Sequence, residues 1–236
     1  MKKTIGIIGG MGPAATCDLM EKIIALTRAS CDQEHLHVLA DSNTAIPDRT
    51  AAILSGGADP VPELTKSAKR LESAGADILI MACNTAHYFY DSVAGAVAVP
   101  VLHMGWESAA ALKAAGVHTV GVLATEGVVK SGVYEKALAQ AGVKAVYPSP
   151  AMQKQVMRLI YDGVKARKIP LESIPVEDIL HELRDKGAEK FLLACTELPI
   201  AFRELGLMEG CLDATNVLAF AAVKAAGAET TAADPW

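Results

Sequence analysis

Gly75-Ala76-Asp77-Ile78-Leu79-Ile80-Met81-Ala82-Cys83-Asn84-Thr85 and Gly187-Ala188-Glu189-Lys190-Phe191-Leu192-Leu193-Ala194-Cys195-Thr196-Glu197 follow one pattern, 112 residues apart. Each opens on a Gly-Ala-acid turn, runs through an apolar stretch and ends in Ala-Cys followed by two polar residues. A short apolar run bounded by turn residues reads as a strand buried on both faces. The echo therefore predicts two equivalent strands of parallel sheet, each carrying a cysteine at its carboxyl end.

The repeat extends outward from the cysteines. Thr4-Ile5-Gly6-Ile7-Ile8 matches Thr119-Val120-Gly121-Val122-Leu123 at an offset of 115, and Ala110-Ala111-Leu112-Lys113-Ala114-Ala115-Gly116 matches residues 221–227 at an offset of 111. Landmarks in the same order at nearly constant offset mark a domain-sized duplication, not a solenoid. Strands are predicted at 5–8, 37–40, 78–82, 120–123 and 191–194. Helical stretches are predicted at 14–28, 62–74, 106–115, 132–141, 153–166 and 176–186. This alternation predicts an α/β fold of two homologous, doubly wound parallel-sheet lobes related by a pseudo-twofold. The lobes are drawn at 1–116 and 117–227, with 228–236 a frayed tail and the final helix able to pack on the N-terminal lobe. Open parallel sheets bind ligands beyond the carboxyl ends of their strands. The loops at 9–12, 83–85, 125 and 195–197 are thus expected to converge on an interlobe cleft.

The composition narrows the class. The 236 residues are 51% apolar and 21% charged, as in a soluble globular protein, with a net charge of −5. That charge argues against nucleic-acid and membrane-surface partners, which select basic patches. Lys2-Lys3 and the apolar residues after them superficially resemble a signal peptide. Gly6, Gly9, Gly10, Gly12 and Pro13 interrupt the run, which reads better as strand and turn, so a cytoplasmic protein is expected. Five cysteines without a CxxC pair imply free thiols, with neither a disulfide framework nor a zinc site, and no His/Cys/Asp cluster has metal spacing.

Two equivalent thiols on two equivalent elements can address one substrate from opposite faces, which is what inverting a stereocentre requires. An amino-acid α-proton is removed either with a pyridoxal electron sink or by two protein bases, one thiolate taking the proton while the opposite thiol delivers another. A thiol pKa of ~8.5 is readily tuned for this, and a helix N-terminus after each cysteine would help. Asn84-Thr85 and Thr196-Glu197 are expected to cap such helices or to donate to a carboxylate. A lone buried cysteine is commonly a small hydrophobe. The duplication with polar followers favours chemistry for Cys83 and Cys195, while Cys17, Cys31 and Cys211 are read as structural.

Other residues leave more than one reading open. Gly9-Gly10-Met11-Gly12-Pro13 is a tight strand-to-helix turn or a ligand-contacting loop, with Pro13 in the first helical turn. Arg49 lies in the polar loop 43–50, where a guanidinium suits bidentate carboxylate binding. Lys165 reads as a solvated helix-end lysine or as a second anion contact. His87, one helical turn after Cys83, reads as a packed histidine or one that orients the thiol. His103 and Asp213 occupy matching repeat positions and are expected to shape the last strands of the lobes.

With these residues in place, the chain resembles the aspartate/glutamate racemase family, and within it the cofactor-independent aspartate racemases. The carrying segments are residues 5–16 (IGIIGGMGPAAT), 46–50 (IPDRT), 81–87 (MACNTAH), 123–125 (LAT), 131–136 (SGVYEK), 156–166 (VMRLIYDGVKA) and 194–197 (ACTE). The resemblance implies racemisation of L- and D-aspartate with Cys83 and Cys195 as the acid/base thiols, and with neither cofactor nor metal. It implies that Arg49 and Lys165 contact the substrate side-chain carboxylate. Met11, Asn84, Thr85, Thr125 and Thr196 would place the α-carboxylate and α-amino group. By the same resemblance Cys195 serves the L-enantiomer and Cys83 the D-enantiomer, and the assembly is a homodimer. The alternatives are a glutamate or broad acidic amino-acid racemase and, outside enzymes, a two-lobed acidic amino-acid binding protein.

Overall fold

The computed structural model describes residues 2–236. The first half contains β1 (Ile5–Gly9), α1 (Pro13–Leu26), β2 (Val38–Ser42), α2 (Arg49–Ser55), α3 (Val61–Ser73), β3 (Ile78–Met81), α4 (Tyr90–Ala94) and α5 (Met104–Ala114). The second contains β4 (Thr119–Ala124), α6 (Glu126–Ser131), α7 (Val133–Ala141), β5 (Lys144–Val146), α8 (Pro150–Arg158), α9 (Val176–Asp185), β6 (Lys190–Ala194), α10 (Leu198–Glu204), β7 (Cys211–Asp213) and α11 (Ala214–Ala225). All ladders are parallel, in the orders β2-β1-β3 and β5-β4-β6-β7. A single parallel bridge from Leu79 to Val101 stands where β6 pairs with β7, so the two sheets share one topology.

The Gly-Ala-acid turns explain the repeat physically. Gly75 and Gly187 adopt φ of +97° and +91°, the left-handed conformation that ends the preceding helix. The acid that follows ties its strand to the central one. The Asp77 carboxylate accepts from Thr4 N–H at 2.8 Å, and the Glu189 carboxylate accepts from the matching Thr119 N–H at 3.0 Å.

Strand alternation then divides the core. Ile5, Ile7, Ile78 and Ile80 of the first sheet, with Val120, Val122 and Leu192 of the second, belong to one continuous apolar cluster. Most of its other contributors come from α1, α5, α7 and α11, a helical layer shared by both sheets. The helices are exchanged reciprocally: α11 packs on α1, α5 packs on α7, and α5 meets α11 between them. The opposite faces are covered separately, by α3 and α4 over the first sheet and by α8, α9 and α10 over the second. Cys83 and Cys195 lie on these outer faces, in register with Leu79 and Met81 and with Phe191 and Leu193.

The sequence reading missed β5, β7, α2, α4, α6 and α10. At three residues each, β5 and β7 are too short to establish a period. The last residues do not fray. Thr231 N–H donates to Leu26 O at 2.9 Å, Arg28 N–H donates to Glu229 O at 2.9 Å, and Asn216 reaches Pro235 O. His103 and Asp213 prove to be matching helix caps. The His103 ring accepts from Gly105 and Trp106 N–H to open α5, and Asp213 accepts from Thr215 and Asn216 N–H to open α11. Asp213 also anchors an ionic cluster. Lys22 on α1 lies 2.5 Å from both Asp18 and Asp213, and Arg203 on α10 pairs with Asp18. Removing one partner of so buried a group would strand the others.

Burial pushes His103 down to about 4, and burial with the neighbouring His103 ring pushes His87 down to about 3. The folded chain therefore keeps both neutral, while the unfolded chain protonates its histidines below about 6.5. Their stabilisation is complete above that pH and is lost as pH falls toward 4. His103→Asn keeps the capping acceptor and cannot titrate. Thermal unfolding of this variant from pH 7 to 5 should be less acid-sensitive than wild type, by ~1 kcal/mol at pH 5; identical acid profiles would contradict this role of His103.

Candidate active site

The loops leaving β1, β3, β4 and β6 meet in one narrow, nearly closed cleft with a cavity volume of about 10 Å³, the room of a single water. Met11, Arg49, Cys83, Asn84, Thr85, Thr125, Lys165, Cys195 and Thr196 all line it. Asp48, Thr50, Tyr161 and Glu197 complete the wall. A site at the carboxyl ends of parallel strands is where this architecture places ligands.

The Gly-rich turn brings the first wall into position. Gly10 has φ +86°, and a Cβ there would stand 2.4 Å from the backbone of Asn43. Glycine thus lets the β1 loop press against the loop that carries Arg49. Arg49 begins α2 instead of lying in a loop, because Asp48 caps that helix by accepting from Ala51 N–H at 2.7 Å. Its guanidinium is buried and donates to Pro47 O at 2.8 Å and Met11 O at 2.9 Å, while Nε has no hydrogen-bond partner among the described residues. Burial opposes its charge, but the Cys83 sulfur beside it prevails and raises the guanidinium above its ordinary value.

The second cation arrives on a different kind of helix. The stretch expected as one helix over 153–166 is α8 followed by a π-helical segment, Leu159–Lys165. The wider turn re-aims the side chains beyond it, a frequent device at functional sites. Lys165 is 25% exposed at the side chain, against 4% for Glu197, from which its Nζ stands 2.9 Å. Its Nζ also reaches the Met11 carbonyl at 3.5 Å. Two cations from opposite halves thus converge on one oxygen. Burial opposes the Lys165 charge, yet Glu197 and the two sulfurs outweigh it and raise the ammonium above its ordinary range.

The residues after each cysteine do not cap helices as expected. Asn84 Oδ1 accepts from the buried Tyr134 hydroxyl, which leaves Asn84 Nδ2 a buried donor without a partner among the described residues. Thr85 and Thr125 hydroxyls meet at 3.0 Å across the cleft, and Thr125 also caps α6. Thr196 donates to Glu197 Oε2 at 3.1 Å. The Cys195 thiol donates to the same oxygen at 3.1 Å. Burial first, then the Glu197 carboxylate, push this thiol well above its ordinary value, against the pull of Lys165. His87 is a packed residue: Nδ1 contacts Cys83 O at 2.9 Å, and Nε2 accepts from Met104 N–H at 3.1 Å. It fixes the backbone under Cys83 to the start of α5.

Asp48, Thr50 and Tyr161 were not among the site residues expected from sequence, and Glu197 was expected only with Thr196 as a helix cap or carboxylate contact. Asp48 and Thr50 flank Arg49, and Tyr161 precedes Lys165 by four positions, so each stood beside a residue already singled out. Tyr161 O–H lies 3.3 Å from Thr50 Oγ1 and closes the cleft on that side. Glu197 stood inside the repeat itself, at the position where the first half has Thr85. Among the described residues, no group of three or more His, Cys, Asp or Glu side chains is placed to hold a metal, and no helix is long and apolar enough to cross a membrane.

The model of the family described as Asp/Glu/hydantoin racemase matches residues 8–226. Among solved structures, the aspartate racemase of Picrophilus torridus is 34% identical, with a TM-score of 0.87 over 97% of this chain and 96% of that one. The broad specificity amino-acid racemase RacX of Bacillus subtilis is 28% identical over 207 residues, 82% of this chain and 85% of that protein. A glutamate racemase of Persephonella marina is 31% identical over 137 residues, 56% of this chain and 51% of that protein.

The cleft leaves little slack where α6 crosses α2. A Cβ on Gly127 would stand 3.0 Å from Thr50 Oγ1 and 3.1 Å from Thr85 Cγ2. Gly127→Ala should lower unfolding stability by ~1–3 kcal/mol in urea titration, because overpacking a closed interior strains it. A neutral effect would mean that this crossing is looser than its geometry.

Proposed function

The chain belongs to the Asp/Glu/hydantoin racemase family, and from that membership we propose that it interconverts L- and D-aspartate with two cysteine acid/base groups and no cofactor. The observation that carries the substrate class is the convergence of Arg49 and Lys165 on the Met11 carbonyl, with the Arg49 Nε donor unpartnered. An acidic side chain seated there would be held by a planar guanidinium fork and a point charge together. Asn84 Nδ2, the second unpartnered donor, is available to the α-carboxylate. The likeness to the Picrophilus torridus aspartate racemase supports the four-carbon acid over longer ones.

In the reaction, the thiolate on one face takes the α-proton as the Cα–H bond breaks. The electron pair left at Cα delocalises into the α-carboxylate, where fixed donors stabilise the growing charge. The thiol on the other face gives its proton to Cα, forming the enantiomer and leaving the thiolate there. The cysteines thus exchange protonation states with each turnover. Their surroundings differ: a guanidinium lies against Cys83 and a carboxylate against Cys195. The assignment of Cys195 to L-aspartate and Cys83 to D-aspartate is part of this proposal.

A broader or glutamate-directed racemase is the second reading, favoured by the relatives that carry those activities. The comparison of kcat/KM on L-aspartate and L-glutamate separates the two, and a preference for glutamate would displace aspartate. Cys83→Ala and Cys195→Ala should each lower racemisation by ~10³-fold or more, the scale of a lost acid/base group. In D2O each variant should still exchange the α-proton of one enantiomer, and the two variants should choose opposite enantiomers by NMR. Wild-type rates in either variant, or exchange of the same enantiomer by both, would refute the two-thiol assignment.

A further inference from the structure

Glu197 makes three contacts from one buried carboxylate. Oε1 lies 2.9 Å from Lys165 Nζ, and Oε2 accepts from the Cys195 thiol and the Thr196 hydroxyl, both at 3.1 Å. The matching residue in the first half is Thr85, whose hydroxyl simply bonds Thr125. The repeat therefore tolerates a short neutral side chain here, and the carboxylate needs a reason of its own. It engages the ammonium that an acidic substrate would use, and it sets a negative charge against a thiol that has to ionise.

A wider hollow adjoins the cleft on the Lys165 side, lined in part by Gly163, Arg167 and Glu204. Lys165 and Glu197 are the two residues that line both spaces. Their ion pair is the partition between them.

We propose that Glu197 is a displaceable stand-in for the substrate side-chain carboxylate: it holds Lys165 and the Cys195 thiol until an arriving dicarboxylate exchanges with it on Lys165 and its side chain turns into the outer hollow. This rests on the racemase reading of the cleft. Exchanging one carboxylate for another keeps the ammonium paired, whereas expelling Glu197 with nothing in return would leave a partly buried charge alone. An amino acid with an apolar side chain offers no such exchange. Glu197 is thereby a positioning and specificity residue, and discrimination comes from the unpaired lysine that a wrong substrate would leave behind.

The test is calorimetric binding of succinate, a four-carbon dicarboxylate with no stereocentre to invert, to the intact protein. Glu197→Gln keeps the shape and an acceptor for Cys195 but cannot pair with Lys165. It should bind succinate about ten-fold tighter than wild type, with the KM for L-aspartate falling in parallel. Glu197→Ala should move in the same direction. Glu204→Gln removes an equal charge from the outer hollow without touching Lys165 and should stay within about two-fold of wild type. Cys195 faces Glu197 and Lys165, with Tyr161, Tyr134 and Cys83 nearby. Loss of the carboxylate should speed its alkylation by iodoacetamide at pH 7, read on the Cys195 peptide. Succinate affinity unchanged or weakened in both Glu197 variants, or equal tightening in Glu204→Gln, overturns the proposal. Binding requires no turnover, so the two readings fail separately. Tightening in a protein that racemises nothing keeps the stand-in and discards the racemase, and racemisation without tightening does the reverse.

Discussion

Two parallel sheets bury their inner faces against the same layer of helices, and everything at the cleft depends on that shared core. Because α1, α5, α7 and α11 serve both sheets, the halves cannot part without exposing the largest apolar cluster in the molecule. Burial of this kind is worth ~25 cal/mol per Å² of apolar surface, so the relation between the sheets is set by packing and not by a linker. The buried cluster of Lys22, Asp18, Asp213 and Arg203 adds direction to that packing, since ion pairs that lose a partner in the interior are costly. A site assembled from strand ends of both sheets inherits this rigidity. That matters for chemistry in which groups on opposite sides of one carbon must hold their spacing.

The duplication was legible because its causes are local. A left-handed glycine, an acid that ties two strands and an alternating apolar run each leave a mark in the sequence, and all three recur at the same offset. The matching caps at His103 and Asp213 were visible as a pair of positions but not as caps, since histidine is an unusual residue to open a helix. The π-helical segment left no mark, because Leu159–Lys165 has the same periodicity as the α-helix it continues. Its consequence, a lysine turned inward and paired with Glu197, could only come from tertiary structure. The same holds for Tyr134, 50 residues along the chain from Asn84 and brought to it only by the fold.

The departures from symmetry carry as much meaning as the repeat. The echo supplies two thiols on equivalent strands. Arg49 and Lys165 break it by placing cations from non-equivalent elements on a single carbonyl, and Glu197 breaks it by putting a carboxylate where the other half has a threonine. Duplication thus fits a reaction that treats two faces alike, and asymmetry fits a substrate whose two ends differ. The electrostatic settings follow the same division, with a guanidinium against one sulfur and a carboxylate against the other.

The central claim, that separate groups act on the two faces of one carbon, is tested most directly by the fate of hydrogen at Cα in the wild-type protein. L-Aspartate is supplied in D2O, and the deuterium content of product and of unreacted substrate is read by mass spectrometry in the first few per cent of conversion. Two groups acting from opposite faces predict a D-aspartate pool that carries solvent deuterium throughout, beside residual L-aspartate that is still almost wholly protiated. Protium carried from substrate into product would mean that one group serves both faces, and would contradict the account.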